Sequence, residues 1–313
     1  MSHAQAVLFE APRQLRLAEL ALAPLGAADV RVRVHYSGIS TGTERLFYTG
    51  DMPPFPGMGY PLVPGYESVG EVIEAGPQAG IAEGQWVFVP GANCFGPVRG
   101  LFGGSASELV TAAQRVLPIS SSLSERGVLL ALAATAHHAV VHPGSGLPDL
   151  IVGHGVMGRL VARLVVALGG QPLVWETDEA RQDESHGYLV RTPAFSKGQL
   201  FDRILDASGA GQALNDWIHH LRPGGEVVLA GFYSQPLSFD FAPAFLREAR
   251  LRVAAQWQPA DLQAVGQLVE EGRLNLDGLI TNRWQATDCA QAYDQAFQSK
   301  SSLKVIMDWR SLQ

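Results

Sequence analysis

The sequence predicts an α/β protein of two domains, a β-rich part followed by a doubly wound parallel sheet. Three observations predict it: a length of 313 residues, short alternating strands before residue 118, and strands that alternate with helices after about residue 124. A chain of this length exceeds one ordinary hydrophobic core and fits two domains. We expect the β-rich domain at residues 1–120, completed by residues 273–313, and the second domain at residues 121–272.

The β-rich part contains short strands and one long loop. In residues 30–36 the even positions are apolar and the odd positions are polar, which predicts a half-buried strand through residue 38. Residues 68–76 and 84–91 are further short strands bounded by Gly and Pro. Residues 49–65 are too rich in Pro and Gly for regular structure, and their large apolar side chains predict an ordered loop that binds a ligand.

The second part alternates strands with helices, which predicts a parallel sheet with helices on both faces. It opens with a helix over residues 124–142, N-capped by Ser124, and a helix over 159–170 follows the first strand. The predicted strands are residues 149–153, 172–176, 188–190, 203–208, 226–232 and 252–257, with a helix ending at His220 before the fifth. Residues 279–309 give an amphipathic helix and a final strand that can return to the first domain.

The composition argues against several classes of protein. A formal net charge of −7 argues against a nucleic-acid partner, because phosphate binding needs a basic surface. The N-terminus lacks the features of a signal peptide, and no apolar run approaches the roughly 18 residues of a membrane span. Cys94 and Cys289 form no CxxC pair, which favours reduced thiols. We therefore expect a cytoplasmic protein without an integral membrane segment.

A glycine-rich turn between a strand and a helix predicts a dinucleotide site. Gly153, Gly155 and Gly158 have G-x-G-x-x-G spacing: the first makes the turn, the second admits a pyrophosphate and the third lets the helix pack on the strand. The next strand ends in Glu176, where an acid binds the adenosine ribose. The carboxylates after Glu176 would repel a 2′-phosphate, so we expect NAD, although Arg181 could bind that phosphate. The expected cofactor-binding residues are Gly153, Gly155, Val156, Met157, Gly158, Glu176, Arg181, Ser208 and Gly231.

Five motifs together resemble the medium-chain dehydrogenase/reductase superfamily over nearly the whole chain. They are SGISTGTE (37–44), PGYESVGEVIEAG (64–76), GQWVFVPG (84–91), GHGVMG (153–158) and LRPGGEVVLAG (221–231). The resemblance implies a GroES-like β-rich domain, a Rossmann domain and an NAD-dependent dehydrogenase acting on a secondary alcohol in the cleft between them. It also implies a homodimer formed through residues 229–256.

The zinc ligands of that superfamily are missing at the matching positions. Thr41 takes the cysteine position, Tyr66 the histidine position, and the third ligand falls near Ala131. Such hydroxyls would not hold Zn²⁺, so the resemblance implies an enzyme without a catalytic metal.

Residues 37–70 are similar to the bacteriochlorophyll-biosynthesis branch of the superfamily. This similarity implies a tetrapyrrole small-molecule substrate whose hydroxyethyl group is oxidised to acetyl, with possible peripheral handover to membrane pigment enzymes. The alternatives are a zinc-free quinone or enone reductase, and a protein that binds dinucleotide and tetrapyrrole without turnover. The side chains expected to cover the flat ligand are Phe47, Tyr48, Met52, Phe55, Met58 and Tyr60. The same side chains could equally pack against one another within the loop or form a dimer contact.

Without zinc, the alcohol proton needs another acceptor. Tyr66 is the candidate base, provided that a positive charge, such as that of an oxidised nicotinamide nearby, lowers the pKa of its phenol from roughly 10. Thr43 retains the hydroxyl that relays the proton in related alcohol dehydrogenases, Thr41 adds a second hydroxyl, and Glu67 anchors nearby loops. His137 could reach the nicotinamide or bind a macrocycle magnesium axially. Each residue also has an ordinary alternative role in packing, turn capping or helix hydrogen bonding.

Overall fold

The computed structural model describes residues 2–53, 57–100, 102–183, 186–233 and 235–312. The chain divides into two compact units. Unit 1 comprises Met1–Ala131 and Asp277–Gln313, and unit 2 comprises Leu132–Leu276.

The strands and helices are numbered in chain order. The strands are β1 (His3–Ala11), β2 (Gln14–Ala21), β3 (Asp29–Ile39), β4 (Ser68–Ala75), β5 (Trp86–Val89), β6 (Glu108–Ala112), β7 (Leu117–Pro118), β8 (Leu150–Val152), β9 (Leu173–Trp175), β10 (Leu189–Arg191), β11 (Phe201–Asp206), β12 (Leu221–Leu229), β13 (Arg250–Val253), β14 (Ile280–Gln285) and β15 (Lys304–Asp308). The helices are α1 (Thr43–Thr49), α2 (Leu130–Val140), α3 (Val156–Ala167), α4 (Leu214–His219), α5 (Phe241–Leu246), α6 (Pro259–Glu270) and α7 (Cys289–Gln298).

Unit 1 is built on a mixed sheet in the order β14-β15-β3-β4-β5-β7, with β6 paired to β3 and β1–β2 forming a separate hairpin. The alternating strand predicted from residue 30 is β3, and Val30, Val32 and Val34 are fully buried. The final strand, β15, pairs antiparallel with β3. The C-terminal segment therefore completes this unit and brings the inward-facing residues of β15 beside the end of β3.

Unit 2 is a parallel sheet in the order β10-β9-β8-β11-β12-β13. Relative to chain order this is 3-2-1-4-5-6, the strand order of a Rossmann fold. Ile204 of β11 and Leu150 of β8 are fully buried, as is Trp217 of α4. The predicted parallel sheet is confirmed, whereas α5 and α6 had no counterpart in the sequence prediction.

The helix predicted over residues 124–142 is wrong in its first part. Residues 121–129 form a 3₁₀ segment whose N-cap is Ser120, and Ser124 has a φ of 47° that interrupts the helical path. This segment packs on β3, β4 and β5 of unit 1. The boundary between the units consequently falls within α2 rather than at residue 120.

The strand predicted over 252–257 is β13, which ends at Val253. In the described ranges, no helix combines the length and apolar character needed to cross a membrane.

Candidate functional site

Tyr66 lies in the loop before β4 and is partly exposed. Its phenol donates a 2.7 Å hydrogen bond to Ser40 Oγ, and the side chain of Thr43 bonds to the same phenol. The ring packs edge-on against Phe102, with 5.0 Å between the ring centroids. The structure therefore joins two of the expected residues, Tyr66 and Thr43, through a small group of hydroxyls that also includes Ser40.

The protein's own groups raise the pKa of Tyr66, and the lowering expected from an oxidised nicotinamide stays a prediction. Burial, and then the negative charge of Glu67, hold the pKa of Tyr66 well above that of a free phenol. The hydrogen bonds with Ser40 and Thr43 lower the pKa but do not offset these effects. Tyr66 is accordingly a neutral phenol at ordinary pH and acts through its hydrogen bonds.

Glu67 forms a buried ion pair with Lys304, a residue that the sequence analysis did not single out. Lys304 Nζ lies 2.9 Å and 2.7 Å from the two carboxylate oxygens, and it also donates a 3.1 Å bond to the Ile39 carbonyl. A Cβ added at Gly38 would stand 2.1 Å from Glu67 Oε2, so only glycine leaves room for the carboxylate. The expected anchoring role of Glu67 now has a physical basis. The signal in the sequence was a lysine opening the apolar run of the final strand.

Glu44 is a second buried carboxyl of unit 1, and the sequence analysis gave it no role. Oε1 accepts the Ser40 amide at 3.0 Å, and Oε2 accepts the Tyr293 hydroxyl at 2.5 Å. Burial raises the pKa of Glu44 to about 7, against the lowering effect of both hydrogen bonds. Glu44 is thus a carboxyl able to exchange a proton near neutral pH.

The expected ligand-covering side chains are only partly available to a ligand. Phe47 is 1% exposed and belongs to the hydrophobic core of unit 1, so its proposed contact with a ligand is wrong. Tyr48 packs on Phe9, with ring centroids 5.7 Å apart, and Tyr60 donates a hydrogen bond to the Phe47 carbonyl.

The remaining members of that set have different positions. Met52 and Met58 are partly buried against the same core, and Phe55 lies outside the described residues. Thr41, which was expected to add a hydroxyl to the site, is exposed.

His137 is held by hydrogen bonds within unit 2. Its Nδ1 lies 2.6 Å from Asp261 Oδ1, and His138 Nδ1 lies 2.9 Å from Asp261 Oδ2. Asp261 also accepts the Gln258 amide at 2.8 Å and so caps α6. The two histidines therefore tie α2 to α6, which is the packed arrangement considered as the ordinary alternative.

The glycine-rich turn has the geometry of a pyrophosphate site. Gly153 has a φ of 93°, and a Cβ added at Gly158 would stand 1.9 Å from the Gly153 carbonyl oxygen. At Gly155 the nearest atom to an added Cβ is Arg181 Nη1 at 3.9 Å, which leaves space at the start of α3. Val156 and Met157 open this helix, whose first amides have no partner within the helix. These residues fit the diphosphate of a dinucleotide.

Glu176 follows β9 and binds back to the glycine-rich turn. Oε2 accepts the His154 amide at 2.9 Å, while Oε1 accepts the amides of Thr177 and Asp178 at 2.7 Å and 2.9 Å. A carboxylate oxygen has two acceptor positions, so Oε2 retains one for a ribose hydroxyl. Glu176 therefore fixes the turn and still offers an acceptor to a ligand.

Ser208 and Gly231 follow β11 and β12 at the carboxyl edge of the sheet. Ser208 donates to Asp206 through its amide at 2.8 Å and its hydroxyl at 2.5 Å, and its Cβ lies 2.9 Å from a Cβ added at Gly153. A Cβ added at Gly231 would meet the Gly209 backbone at 2.9 Å. Ligands of parallel α/β sheets bind at this edge, which supports the cofactor assignment.

The positions matching zinc ligands carry groups that do not fit zinc. Tyr66 is a neutral phenol bonded to Ser40, Thr41 is a hydroxyl, and Ala131 has no donor atom. In the part of the chain that the structure describes, no three His, Cys, Asp or Glu side chains form a group that could hold a metal ion.

Comparison with known proteins identifies the family. Residues 26–121 match the alcohol dehydrogenase GroES-like domain, and residues 179–271 match the zinc-binding dehydrogenase domain. The chain is 53% identical over 308 residues to the 2-desacetyl-2-hydroxyethyl bacteriochlorophyllide A dehydrogenase of Rhodobacter capsulatus, covering 98% of each chain. It belongs to the medium-chain dehydrogenase/reductase superfamily. Within this superfamily it is a dehydrogenase of the same family as that protein.

Further relatives agree with this placement. The protein of the same name from Cereibacter sphaeroides is 52% identical over 312 residues, with 98% of both chains covered. Among solved structures, L-idonate 5-dehydrogenase from Escherichia coli K-12 superposes with a TM-score of 0.87 at 19% identity, covering 98% of this chain and 99% of that one. The last comparison shows the fold of the superfamily.

The first prediction concerns the buried ion pair. Lys304→Met should lower the free energy of unfolding by about 3–5 kcal/mol, because it leaves the Glu67 carboxylate buried without its partner. Arg310→Met is the matched control, since Arg310 is 54% exposed and pairs with Asp308 at the end of the same strand; it should cost at most about 1 kcal/mol. Urea unfolding measures both values, and equal losses would contradict the importance of the pair.

The second prediction concerns the glycine-rich turn. Gly155→Ala should leave the melting temperature unchanged but weaken dinucleotide binding by roughly tenfold or more, because the added methyl occupies the space for the pyrophosphate. Gly158→Ala should instead lower the melting temperature, since its Cβ meets the Gly153 carbonyl oxygen at 1.9 Å. Thermal unfolding and isothermal titration calorimetry with NAD distinguish the two effects. Unchanged affinity in Gly155→Ala would place the cofactor elsewhere.

Proposed function

We propose that this protein oxidises the 3-(1-hydroxyethyl) group of bacteriochlorophyllide a to acetyl, with NAD as the hydride acceptor. The observation that carries this proposal is the 53% identity, over 98% of both chains, to a protein named for that activity. The hydroxyl carbon loses a hydride and the hydroxyl oxygen loses a proton. The new carbonyl conjugates with the aromatic macrocycle, which makes this alcohol easier to oxidise than an aliphatic one.

The glycine-rich turn, the start of α3 and Glu176 hold the dinucleotide in this proposal. NAD supplies the hydride acceptor when it is bound. An alcohol dehydrogenase of the same fold from Escherichia coli CFT073, 21% identical with a TM-score of 0.83, was solved with NADH, which supports a nicotinamide dinucleotide as the cofactor.

The cluster of hydroxyls formed by Tyr66, Ser40 and Thr43 binds the substrate hydroxyl in this proposal. Tyr66 is partly exposed, so its phenol can contact a ligand. Ser40 is 5% exposed, and its hydroxyl accepts the 2.7 Å hydrogen bond that the phenol donates. The proton of the alcohol leaves through Tyr66 or the Thr43 hydroxyl. No metal takes part, because the donors at the zinc positions do not suit one.

NAD is preferred over NADP in this proposal. Glu176, Asp178 and Glu179 place negative charge where a 2′-phosphate would lie. Arg181 Nε lies 3.9 Å from Asp178 Oδ2, which supports its pairing with an acidic neighbour rather than with a phosphate.

The protein forms a homodimer through β13 in this proposal. β13 is an edge strand of the described sheet, and both β13 and the helix before it in the chain, α5, carry exposed apolar side chains. These are Phe241, Phe245 and Leu246 of α5, at 73%, 66% and 77% exposure, and Leu251 and Val253 of β13, at 39% and 74%. Such a patch beside an unpaired strand edge is typical of a subunit interface.

The third prediction tests the activity. Purified protein mixed with NAD and the hydroxyethyl bacteriochlorophyllide should form NADH, accompanied by a shift of the long-wavelength absorption band. NADP should give a kcat/KM lower by at least about tenfold, because of the repulsion at Glu176.

Other outcomes of that assay favour the alternatives. NADPH-dependent reduction of a quinone or an enone, without oxidation of the tetrapyrrole, would identify a reductase. Tetrapyrrole binding without NADH formation would identify a binding protein. Either result would refute the proposed reaction.

The fourth prediction tests the dimer. Val253→Asp should convert a dimer into a monomer in analytical ultracentrifugation, because a carboxylate in the strand edge disrupts apolar contact. Val141→Asp, at an apolar position of unit 2 that is 44% exposed, is the matched control and should remain dimeric. A wild-type monomer would contradict the proposal.

A further inference from the structure

Glu44 is a buried acid that the proposed reaction has not yet used. Its side chain is fully buried, and its two described hydrogen bonds come from neutral groups, the Ser40 amide and the Tyr293 hydroxyl. Glu67, the other buried carboxyl of this region, has an ammonium partner in Lys304. A buried carboxylate with no cation bonded to it is costly, so burial favours the protonated form and allows Glu44 to change its protonation state.

Ser40 connects this acid to the phenol at the protein surface. The Ser40 hydroxyl accepts the proton of Tyr66 at 2.7 Å, and the Ser40 amide donates to Glu44 Oε1 at 3.0 Å. Tyr66 is partly exposed and Glu44 is fully buried. Ser40 thus contacts the phenol through its hydroxyl and Glu44 through its amide, and a proton passes from one to the other when the Ser40 hydroxyl rotates toward Glu44.

We propose that Glu44 accepts the proton of the substrate alcohol, which reaches it through Tyr66 and Ser40. This inference rests on the proposed oxidation. As the C–H bond gives its electron pair to the nicotinamide as hydride, the O–H proton passes to Tyr66, the phenol proton passes to Ser40, and the Ser40 hydroxyl turns to deliver its proton to Glu44 Oε1. The C–O bond becomes a carbonyl, and the Glu44 carboxylate becomes a carboxylic acid that returns the proton by the reverse path, through Ser40 and Tyr66, once the product has left.

The charged and titratable neighbours of Glu44 suit this task. Burial is the main cause that raises its pKa to about 7, and Glu67, in the loop before β4, adds to it. Tyr293 of α7 and Lys304 of β15 lower the pKa of Glu44, and Tyr66 is neutral. An acid whose pKa lies near the working pH is the most effective proton acceptor.

Titration of the protein without ligands tests the first half of this inference. Infrared difference spectra of the wild type should show a carboxylic acid band that disappears as the pH rises through about 7. Glu44→Gln should lack this band. Glu270→Gln, which removes an exposed carboxyl of α6, should retain it and is the matched control. A wild type without a band titrating in this range would refute the assignment.

The pH dependence of turnover tests the second half. The wild-type kcat should fall below about pH 7, because a protonated Glu44 cannot accept the substrate proton. Glu44→Gln should lose this acidic limb and about 10²–10⁴-fold in kcat. Tyr293→Phe removes a hydrogen bond that favours the ionised carboxyl, so its acidic limb should move to higher pH while the rate at high pH is retained.

The outcomes separate this inference from the proposed function. A wild type that does not oxidise the tetrapyrrole refutes the function, whatever the infrared titration shows. An active wild type, with full rate and an unchanged acidic limb in Glu44→Gln, refutes the role of Glu44. If Glu44→Gln fails to fold, an unmoved limb in Tyr293→Phe refutes it instead.

Discussion

The buried ion pair of Glu67 and Lys304 is the interaction on which the site in unit 1 depends. It joins β15 to the end of β3, where Lys304 also holds the Ile39 carbonyl, and to the loop before β4. Ser40 follows Ile39, and Tyr66 precedes Glu67. The positions of both hydroxyls are therefore set by an ion pair whose lysine comes from the C-terminal segment. Because breaking a buried pair leaves an uncompensated charge, this arrangement is strongly constrained.

Glu67 and Glu44 are both fully buried, but they have different roles because only Glu67 forms an ion pair. Lys304 pairs with Glu67 and fixes its position. Glu44 lacks such a partner, and its pKa near 7 allows it to change its protonation state. In the proposed reaction the hydroxyls of Tyr66 and Ser40 connect the substrate to that acid. Proton uptake is thus separated from the structural charge pair.

Local patterns in the sequence predicted much of the fold and the geometry of the glycine-rich turn. The alternation in β3 and the spacing of Gly153, Gly155 and Gly158 are properties of consecutive residues, and both were found as expected. The pairing of Lys304 with Glu67 joins residues that are 237 positions apart, which no local pattern reveals. The 3₁₀ segment over 121–129 was missed for a related reason, since it packs on the sheet of unit 1 rather than continuing α2.

In the proposed reaction this dehydrogenase transfers the proton through its own side chains and needs no metal at the position of Tyr66. The most direct measurement is the metal content of a sample whose turnover is determined in parallel, before and after treatment with a strong chelator. We expect full oxidation of the hydroxyethyl group with far less than one zinc per chain and no loss of activity after chelation. Stoichiometric zinc, with activity lost on chelation and restored by Zn²⁺, would contradict it.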